Sequence, residues 1–443
     1  MAKNIRLDAK EIPVDAECDV LVCGAGMAGV CAAAAAARGG AETILLERWA
    51  CLGGMATAAL VNMWHTSDRV KPVIGGLPWE ILERGERAGF CKKLEHFPRE
   101  HETHYFNSHG MKLVLDEFVA DSKVQVRCYS PLVDCIKDAD RLIAAVIGSK
   151  MGLRAIKAKI FIDATGDGDL AAFAGLPFEY GRPGDGLVQG MTLMYRVGGI
   201  KPGVVHRLGG KRNDEIIKRM GQFRDEGKLP AFGGICLPCY ADGFPANMNP
   251  ASGNPLDEWE LTACHAKCRR QTQAYIDFWR REVPGYENAF LLEEAFAMGV
   301  RESRRIRGIK QLTKEDVLGC REQEDAVGHG CWMIDIHDPR GTGYTTWMDR
   351  EKRGRLPAGR SYHIPFGMLV APGAPNFLMA GRCASATHEG LSSVRVQSHC
   401  AVMGHGAGAA AALALDRGCA PRDVNIAELQ GRLKAAGAYI EKT

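Results

Sequence analysis

A long run of basic residues, a secretory signal and an internal repeat are all missing from this sequence of 443 residues. Without a basic run, and with a formal net charge of only +3, a nucleic-acid partner is not expected. Residues 1–17 carry charges throughout and no apolar core, which is not the pattern of an exported protein. We therefore expect a cytoplasmic protein that binds neither nucleic acid nor a membrane.

The apolar residues that are present also indicate a globular protein. The longest apolar stretch, residues 20–37, approaches the length of a membrane span, but it is mostly alanine and contains a glycine-rich turn, so we interpret it as buried core. The 16 cysteines, without an export signal, indicate reduced thiols rather than disulfides. A chain of this length exceeds one hydrophobic core, so two domains are expected.

A glycine-rich turn near the N-terminus is the strongest local signal. It follows a short apolar strand and leads into a helix predicted over residues 27–38. Gly24 permits the tight turn, Gly26 lets the backbone approach a pyrophosphate at the helix N-terminus, and Gly29 allows the helix to pack closely on the strand. Glu47 ends the second strand, near the spacing that places a carboxylate on a ribose hydroxyl. The unit predicts a dinucleotide-binding site.

Apolar periodicity predicts further elements along the chain. Helices are predicted over residues 78–88, 110–122, 259–281 and 288–305. Strands are predicted over residues 191–197 and, as a small meander, over 124–128, 132–136 and 142–148. Residues 155–175 and 376–415 each predict a strand, a polar turn or loop, and a helix. With these two segments the chain is expected to return to the first sheet.

Six motifs occur in the order GAGMAG, LGGMAT, IDATGDGDL, GVRESRRI, DIH and AGRCASATHEGLSSVR. Together they resemble the FAD-dependent oxidoreductases of the glutathione-reductase-like flavoprotein class, and within it the family that carries a single dinucleotide fingerprint. The resemblance implies an α/β fold, an enzyme, and FAD as the cofactor. It also implies a discontinuous, Rossmann-like FAD-binding domain at 1–188 and 358–443, with an α+β substrate domain inserted at 189–357.

The resemblance further implies which residues contact FAD. Those at the ADP half are Gly24, Gly26, Met27, Ala28, Gly29, Glu47 and Arg48, and those near the pyrophosphate and flavin are Gly53, Gly54, Met55, Ala56 and Thr57. Those in the two later returns of the chain are Ala164, Thr165, Gly166, Asp169, Gly381, Arg382, Ser393, Arg395 and Val396. For Asp167 and Asp169, a tight turn capped by Asp169 is the alternative.

The last of these segments predicts a helix N-terminus that faces the flavin. Ser392 and Ser393 are expected to cap a helix that begins near Val394. Its free N–H groups, at Arg395 and Val396, would face the flavin edge where negative charge accumulates on reduction. An ordinary capped helix, buried by its alanines, is the alternative.

Two features that the sequence lacks limit the types of reaction that we expect. Only one dinucleotide fingerprint occurs, so a separate nicotinamide-binding domain is not expected. Cys51 stands alone beside Gly53, so the redox-active disulfide of disulfide reductases is missing. The expected reaction is hydride exchange between FAD and a small polar substrate, such as a sugar, a hydroxy acid or another carboxylate. Its direction, the external electron acceptor or donor, covalent flavin attachment and the oligomeric state are left open, and a homo-oligomer is compatible with the sequence.

Arg301 and Glu302 are candidate catalytic residues from the motif GVRESRRI. In a helix, Arg301 and Arg305 would share one face. Arginine can clamp a substrate carboxylate with two hydrogen bonds. The alternative is a structural ion pair between Glu302 and Arg305.

His337 is the first candidate for a catalytic base. It lies two residues after Asp335 in a plausible strand, so both side chains would project to one face. The carboxylate could then raise the pKa of the imidazole or orient the ring. A structural role for His337 is the alternative. His388, in the polar loop before the last helix, is the second choice, and Tyr362 is a weaker one.

A second function would follow if four of the cysteines bound a metal. They are Cys236, Cys239, Cys264 and Cys268. Four thiolates could hold zinc or an iron–sulfur cluster, although the second pair departs from structural zinc spacing. With a cluster, the chain would resemble the electron-transfer flavoprotein subunit of heterodisulfide reductase. Reduced core thiols are the alternative, and on balance we expect no metal. A flavin-bearing structural subunit without activity is a third interpretation.

Overall fold

The computed structural model describes residues 11–93, 103–201, 211–230, 246–340 and 354–442. Its strands are β1 (Val14–Cys23), β2 (Thr43–Leu46), β3 (Met63–His65), β4 (Cys91–Lys93), β5 (Thr103–Phe106), β6 (Gln125–Arg127), β7 (Leu132–Asp138), β8 (Arg141–Ser149), β9 (Gly152–Asp163), β10 (Phe178–Tyr180), β11 (Met191–Thr192), β12 (Tyr195–Gly198), β13 (Pro250–Ala251), β14 (Phe290–Glu294), β15 (Arg304–Ile306), β16 (Ala326–Gly330), β17 (Tyr362–Pro365) and β18 (Phe377–Met379). Its helices are α1 (Met27–Arg38), α2 (Leu77–Arg87), α3 (Ser108–Asp121), α4 (Asp169–Phe173), α5 (Lys211–Asp225), α6 (Glu258–Glu282), α7 (Lys314–Leu318), α8 (His388–Val394), α9 (Gln397–Arg417) and α10 (Ile426–Ala435).

A mixed sheet of seven strands forms the centre of the molecule, in the order β6-β2-β1-β9-β8-β7, with β18 beside the second half of β9. Strands β6, β2, β1, β9 and β18 run parallel, and the hairpin β7-β8 continues the sheet antiparallel to β9. Residues 20–23 at the end of β1 are buried, as a parallel strand covered on both faces requires. The carboxyl ends of β1, β2, β9 and β18 therefore meet at one edge, and the predicted α/β fold is confirmed.

Two helices rich in small residues, α1 and α9, pack against each other beside this sheet. A Cβ atom on Gly404 would lie 2.0 Å from the carbonyl oxygen of Ala28, and one on Gly408 would lie 2.1 Å from that of Ala32. Because no side chain fits at these distances, the two helix backbones are in direct contact. This contact fixes the N-terminus of α9 relative to the glycine-rich turn before α1.

Small antiparallel sheets make up much of the remainder, and they are β3-β5-β4, β10-β15, β11-β13, β12-β14 and β16-β17. An aromatic cluster that includes Tyr195, Tyr275 and Trp279 is buried between β12 and α6. Within the described ranges, no helix is both long enough and apolar enough to cross a membrane.

Most predicted elements are present. The helices expected over 27–38, 78–88, 110–122 and 259–281 are α1, α2, α3 and α6, and the second and third strands of the meander are β7 and β8. The first strand of the meander is different, because β6 pairs with β2 and joins the parallel sheet. The strand over 191–197 is divided, since β11 pairs with β13 whereas β12 pairs with β14.

The prediction of a helix over residues 288–305 is wrong. These residues form β14 and β15, which pair with β12 and β10, so strand partners distant in the sequence override the local helical periodicity. Two strands of the predicted substrate domain also pair beyond its boundaries, β15 with β10 and β16 with β17. Two small sheets thus tie residues 304–330 to the parts of the chain assigned to the other domain.

Candidate active site

A cavity of about 510 Å³ opens at the carboxyl edge of the central sheet. Ligands of open α/β sheets bind outside the carboxyl ends of the strands, so this cavity is the candidate active site. The predicted FAD contacts that line it are Gly24, Gly26, Met27, Ala28, Glu47, Arg48, Gly53, Gly54, Met55, Ala164, Thr165, Gly166, Asp169, Gly381, Arg382, Arg395 and Val396. Those that do not line it are Gly29, Ala56, Thr57 and Ser393.

The three glycines of the first turn occupy three different environments. Gly24 has a φ of +96°, and a Cβ there would lie 2.5 Å from the carbonyl oxygen of Ala164. A Cβ on Gly29 would lie 1.8 Å from the carbonyl oxygen of Gly24, so the helix touches the turn. At Gly26, by contrast, no described atom lies within 4 Å of the Cβ position, because this residue faces the cavity. A side chain at position 26 would occupy ligand space.

Gly53 and Gly54 bring a second stretch of backbone against this turn. The N–H of Gly53 donates to the carbonyl of Ala25 at 2.8 Å. A Cβ on Gly54 would lie 2.9 Å from the Cα of Gly26. Two glycine-containing segments therefore form one wall of the cavity, and exposed backbone of this kind suits phosphate binding.

Glu47 supports the same wall through its carboxylate. One oxygen accepts the N–H of Ala25 at 2.8 Å and the other accepts the N–H of Trp49 at 2.9 Å. Each carboxylate oxygen has a further lone pair, so a ribose hydroxyl can still donate to it. The geometry is compatible with the predicted ribose contact.

An ion-pair network involves the residues that follow the end of β9. Arg382 donates to Asp167 at 2.6 Å, and Asp169 pairs with Arg304 at 2.9 Å. Burial alone would raise the pKa of Asp167, but two nearby arginines outweigh it and hold that pKa below its ordinary value. The residue that caps α4 is Gly168, so the alternative in which Asp169 caps the turn is wrong.

The helix after the final strand begins three residues later than predicted. Ser392 and Ser393 belong to the short helix α8, which is capped by the hydroxyl of Thr387, and α9 begins at Gln397 with Val396 as its N-cap. The N–H of Arg395 is already bonded to the carbonyl of Leu391, so Arg395 supplies no free N–H group. Val396 and Gln397 line the cavity, so the first turn of α9 is the part of this helix that faces a ligand.

Glu302 and His388 form a buried group that does not line the cavity. Glu302 pairs with Arg305, accepts from the N–H of Gln189 at 3.0 Å, and lies 2.8 Å from Nδ1 of His388. The ion pair of the structural alternative is therefore present. Because both predicted catalytic side chains are enclosed by protein, we assign them a structural role at the junction of several loops.

Arg301 does line the cavity. The prediction that it shares a helical face with Arg305 is wrong, because neither residue lies in a helix. In this segment, the side chain of Arg305 is buried and donates hydrogen bonds to backbone carbonyls, whereas the side chain of Arg301 reaches the cavity. Arg301 donates to the carbonyl of Gly190 at 2.8 Å, the hydroxyl of Thr192 at 2.8 Å and the amide oxygen of Asn247 at 3.1 Å.

Asp335 and His337 line the cavity beside Arg301. Their segment is irregular rather than a strand, yet the two side chains meet as predicted, with His337 Nε2 3.5 Å from Asp335 Oδ2. Asp335 acts to raise the pKa of His337, as expected, but burial and the charge of Arg301 outweigh this effect and lower that pKa to about 4. Burial would raise the pKa of Asp335, but His337, Arg395 and Arg301 together hold it well below its ordinary value.

Several residues that line the cavity carry no sequence signal that identified them as ligand contacts. They include Trp49, His65, Ser130, Thr192, Asn247, Trp332 and Met333. The rings of His65 and Trp332 are stacked with their centres 3.6 Å apart. These residues come from separate parts of the chain, so only long-range pairing brings them together.

Cys264 and Cys268 show no arrangement that favours a metal. Both are buried on α6, and their thiols donate to the carbonyls of Ser252 and Asn249. Cys236 and Cys239 lie outside the described residues. Among the residues that are described, no group of three or more potential ligands could hold a metal ion.

Two features of the cavity suit a bound dinucleotide. The space at Gly26 would be filled by a Cβ and is open to a ligand. In the part of the chain that the structure describes, Gln397 Oε1 and Asp335 Oδ1 are buried and have no hydrogen-bond partner, although both residues line the cavity. Buried polar atoms normally have partners, so a ligand with donors fits here.

Comparison with known proteins agrees with this geometry. The sequence model of the family described as FAD dependent oxidoreductase matches residues 19–433. No curated protein matches the chain significantly in sequence. The structure of BexE, studied for oxidation during BE-7585A biosynthesis, is 14% identical with a TM-score of 0.51, and the match covers 95% of this chain and 67% of that chain. A geranylgeranyl bacteriochlorophyll reductase-like protein from Thermoplasma acidophilum is 14% identical with a TM-score of 0.46, over 95% and 83% of the two chains. The likeness to BexE shows a shared fold and nothing of the reaction.

Proposed function

Because this chain belongs to the FAD dependent oxidoreductase family, and is therefore an FAD-dependent enzyme, we propose that it exchanges a hydride between FAD and a small polar substrate. One observation carries the proposal. A single cavity is lined both by the glycine-rich turn, through Gly26, and by the polar side chains of Arg301 and His337. The single fingerprint supports the finer part of the proposal, that the chain belongs to the glutathione-reductase-like class.

The residues that would hold FAD come from all the returns of the chain to the sheet edge. The turn at Gly26 and the loop at Gly53 offer backbone to the pyrophosphate, and Glu47 offers its carboxylate to the ribose. The first turn of α9, beginning at Gln397, offers the positive end of a helix dipole to an electron-rich ring edge. When bound, FAD supplies a two-electron acceptor or donor.

His337 is the residue we propose for proton transfer. Its ring is neutral at neutral pH because burial and Arg301 disfavour the imidazolium. A neutral imidazole can accept the proton of a substrate hydroxyl or amine as the hydride leaves carbon. Asp335, 3.5 Å away, orients the ring and would stabilise the imidazolium that forms.

The test is an anaerobic screen of the purified full-length protein against polar metabolites. We expect the protein to carry or take up FAD, and we expect at least one alcohol or amine substrate to bleach the flavin absorbance. With that substrate, His337→Ala should slow flavin reduction about a hundredfold or more, as loss of a general base does. A correctly folded protein that refuses FAD, or normal reduction rates in the variant, would contradict the proposal.

A further inference from the structure

The part of the cavity wall that carries His337 is an irregular segment, residues 331–337. Residues 331–336 belong to no helix or strand that the structure describes, and one backbone bond joins Ile334 to the carbonyl of Gly354 at 3.0 Å. The residues of this segment that line the cavity are Trp332, Met333, Asp335 and His337. The position of these side chains therefore depends on the contacts that other parts of the chain make with the segment.

Side chains at the junction of α8 and α9 bond the backbone of this segment. Ser393 Oγ donates to the carbonyl of Trp332 at 2.5 Å, and the guanidinium of Arg395 donates to the carbonyl of Asp335 at 2.8 Å. The same junction leads into the first turn of α9, where Gln397 lines the cavity. One short stretch of chain thus sets the position of the helix end that faces a ligand and of the segment that carries the proposed base.

Ser393 is the centre of a buried hydrogen-bond network whose donors and acceptors can be assigned. Because its hydroxyl proton goes to the carbonyl of Trp332, the hydroxyl of Tyr362 is the donor in its 2.7 Å bond with Ser393 Oγ. His399 Nε2 accepts the N–H of Cys331 at 3.0 Å, so the ring proton is on Nδ1, which can donate to the carbonyl of Ser393 at 3.2 Å. Burial lowers the pKa of His399 to about 3, so the ring stays neutral. A buried network with assigned directions holds the segment rigidly against α8.

Gln189 holds the other end of the segment. Its side-chain oxygen accepts the N–H of His337 at 3.3 Å, and its own N–H donates to Glu302 at 3.0 Å. Glu302 in turn lies 2.8 Å from His388, the first residue of α8. Gln189 is fully buried, and its Nε2 has no hydrogen-bond partner among the described residues. A buried amide with an unpaired donor lowers stability, so an apolar side chain would serve better if packing were its role.

On the basis of the function proposed above, we propose that Gln189 and Ser393 are positioning residues for proton transfer, which hold segment 331–337 so that His337 stays enclosed at the cavity. Neither side chain lines the cavity, so each acts through the segment and not on a ligand. Loss of either contact should let the segment move and admit water to the ring of His337. Because burial is the main cause that lowers the pKa of this ring, hydration should raise that pKa towards its ordinary 6.5.

The test follows the ring of His337 by NMR of the FAD-loaded, full-length protein with isotope-labelled histidine. The signal of His337 is assigned by its absence from His337→Ala. In the parent protein we expect this ring not to titrate between about pH 8 and about pH 5.5, because its pKa is about 4. In Gln189→Leu and in Ser393→Ala we expect the ring to titrate within this range. With a substrate from the anaerobic screen, the maximal rate of flavin reduction should fall about tenfold or more in both variants.

Ser392→Ala is the matched control. Ser392 and Ser393 are neighbours in α8 and both are fully buried, but the hydroxyl of Ser392 donates within its own helix, to the carbonyl of Glu389 at 2.6 Å. We expect this variant to leave the titration of His337 and the rate of flavin reduction unchanged. Thermal unfolding separates positioning from packing. Gln189→Leu loses one hydrogen bond but also removes an unpaired buried amide, so it should unfold close to the temperature of the parent protein.

The outcomes distinguish this inference from the proposed function. The inference is overturned if the ring of His337 does not titrate within the range in either variant, or if Ser392→Ala changes its titration as much as Ser393→Ala does. A ring that already titrates within the range in the parent protein would overturn it as well. If Ser393→Ala does not fold, Gln189→Leu decides alone. Normal flavin reduction in His337→Ala, with both titrations changed as expected, would contradict the proposed function and leave the hold of Gln189 and Ser393 on His337 standing.

Discussion

Gly26 and Gly29 are three residues apart, yet a methyl group added at each should have opposite consequences. At Gly26 the new Cβ meets no described atom within 4 Å, and the backbone has an ordinary φ of −64°. We expect Gly26→Ala to unfold at the same temperature as the parent protein when FAD is absent. Its affinity for FAD should fall about tenfold or more, which is a loss of about 1.4 kcal/mol.

Gly29→Ala is the matched variant. Its Cβ would lie 1.8 Å from the carbonyl oxygen of Gly24, so the helix has to move away from the turn. We expect the free energy of unfolding to fall by about 1–3 kcal/mol even without FAD. Thermal unfolding and fluorescence titration with FAD measure both effects. If Gly26→Ala proved the less stable of the two, our separate roles for these glycines would be incorrect.

At the residue scale, local patterns predicted the binding wall well and the reaction chemistry less well. The glycines and Glu47 follow their strands directly, so their positions depend on spacing alone. Arg301 and His337 were identified by residue type, and the structure places both at the cavity. Asn247 had no local signal, because its contact with Arg301 joins segments 54 residues apart.

At the scale of elements, the contact between α1 and α9 is the one on which the shape of the site depends. Alanine in a helix interior is normally more favourable than glycine by about 0.5–1 kcal/mol. At Gly404 this gain should be overcome, because the Cβ would lie 2.0 Å from the carbonyl oxygen of Ala28. We expect Gly404→Ala to lower the free energy of unfolding by about 1–3 kcal/mol and to weaken FAD binding.

Gly431→Ala on α10 is the control for that substitution. Nothing lies within 4 Å of its Cβ position, so only the helix propensity should act and the protein should become slightly more stable. Denaturant titration of the two variants measures the difference. Equal stabilisation by both substitutions would mean that the two helix backbones are not in contact.

Predicted elements agreed with the structure where a strand or helix is specified by its own residues. The strand and glycine-rich turn before α1 were sufficient to place that helix, and the helical patterns of α3 and α6 were sufficient to place these two. The start of α9 was misplaced because Thr387 caps a separate short helix, which takes up both serines that resembled an N-cap. Residues 288–305 were misassigned because their partners, β12 and β10, lie about a hundred residues earlier in the chain.

At the scale of the whole molecule, buried histidines make the fold sensitive to acid. Burial is the main cause that lowers four of their pKa values from the ordinary 6.5, to about 3 for His329 and His399 and to about 4 for His337 and His405. Below pH 6.5 the unfolded chain takes up protons that the folded chain does not, so the free energy of unfolding falls as the pH is lowered. The loss extends from about pH 6.5 down to about pH 4.

The size of this effect can be tested with one substitution. Between pH 7 and pH 5.5 each of these histidines should cost about 1 kcal/mol of stability. Asp163, Asp169 and Asp116 oppose them, because burial raises the pKa of each carboxyl group, that of Asp163 to about 6, and the folded state then gains protons as the pH falls. We expect the four histidines to outweigh these carboxyl groups, so denaturant titration with saturating FAD should show a net loss of about a few kcal/mol over this range. His405→Leu removes one titrating group and should reduce the loss by about 1 kcal/mol. An unchanged pH dependence in this variant, or stability that rises on acidification, would show that the buried histidines do not control the acid response.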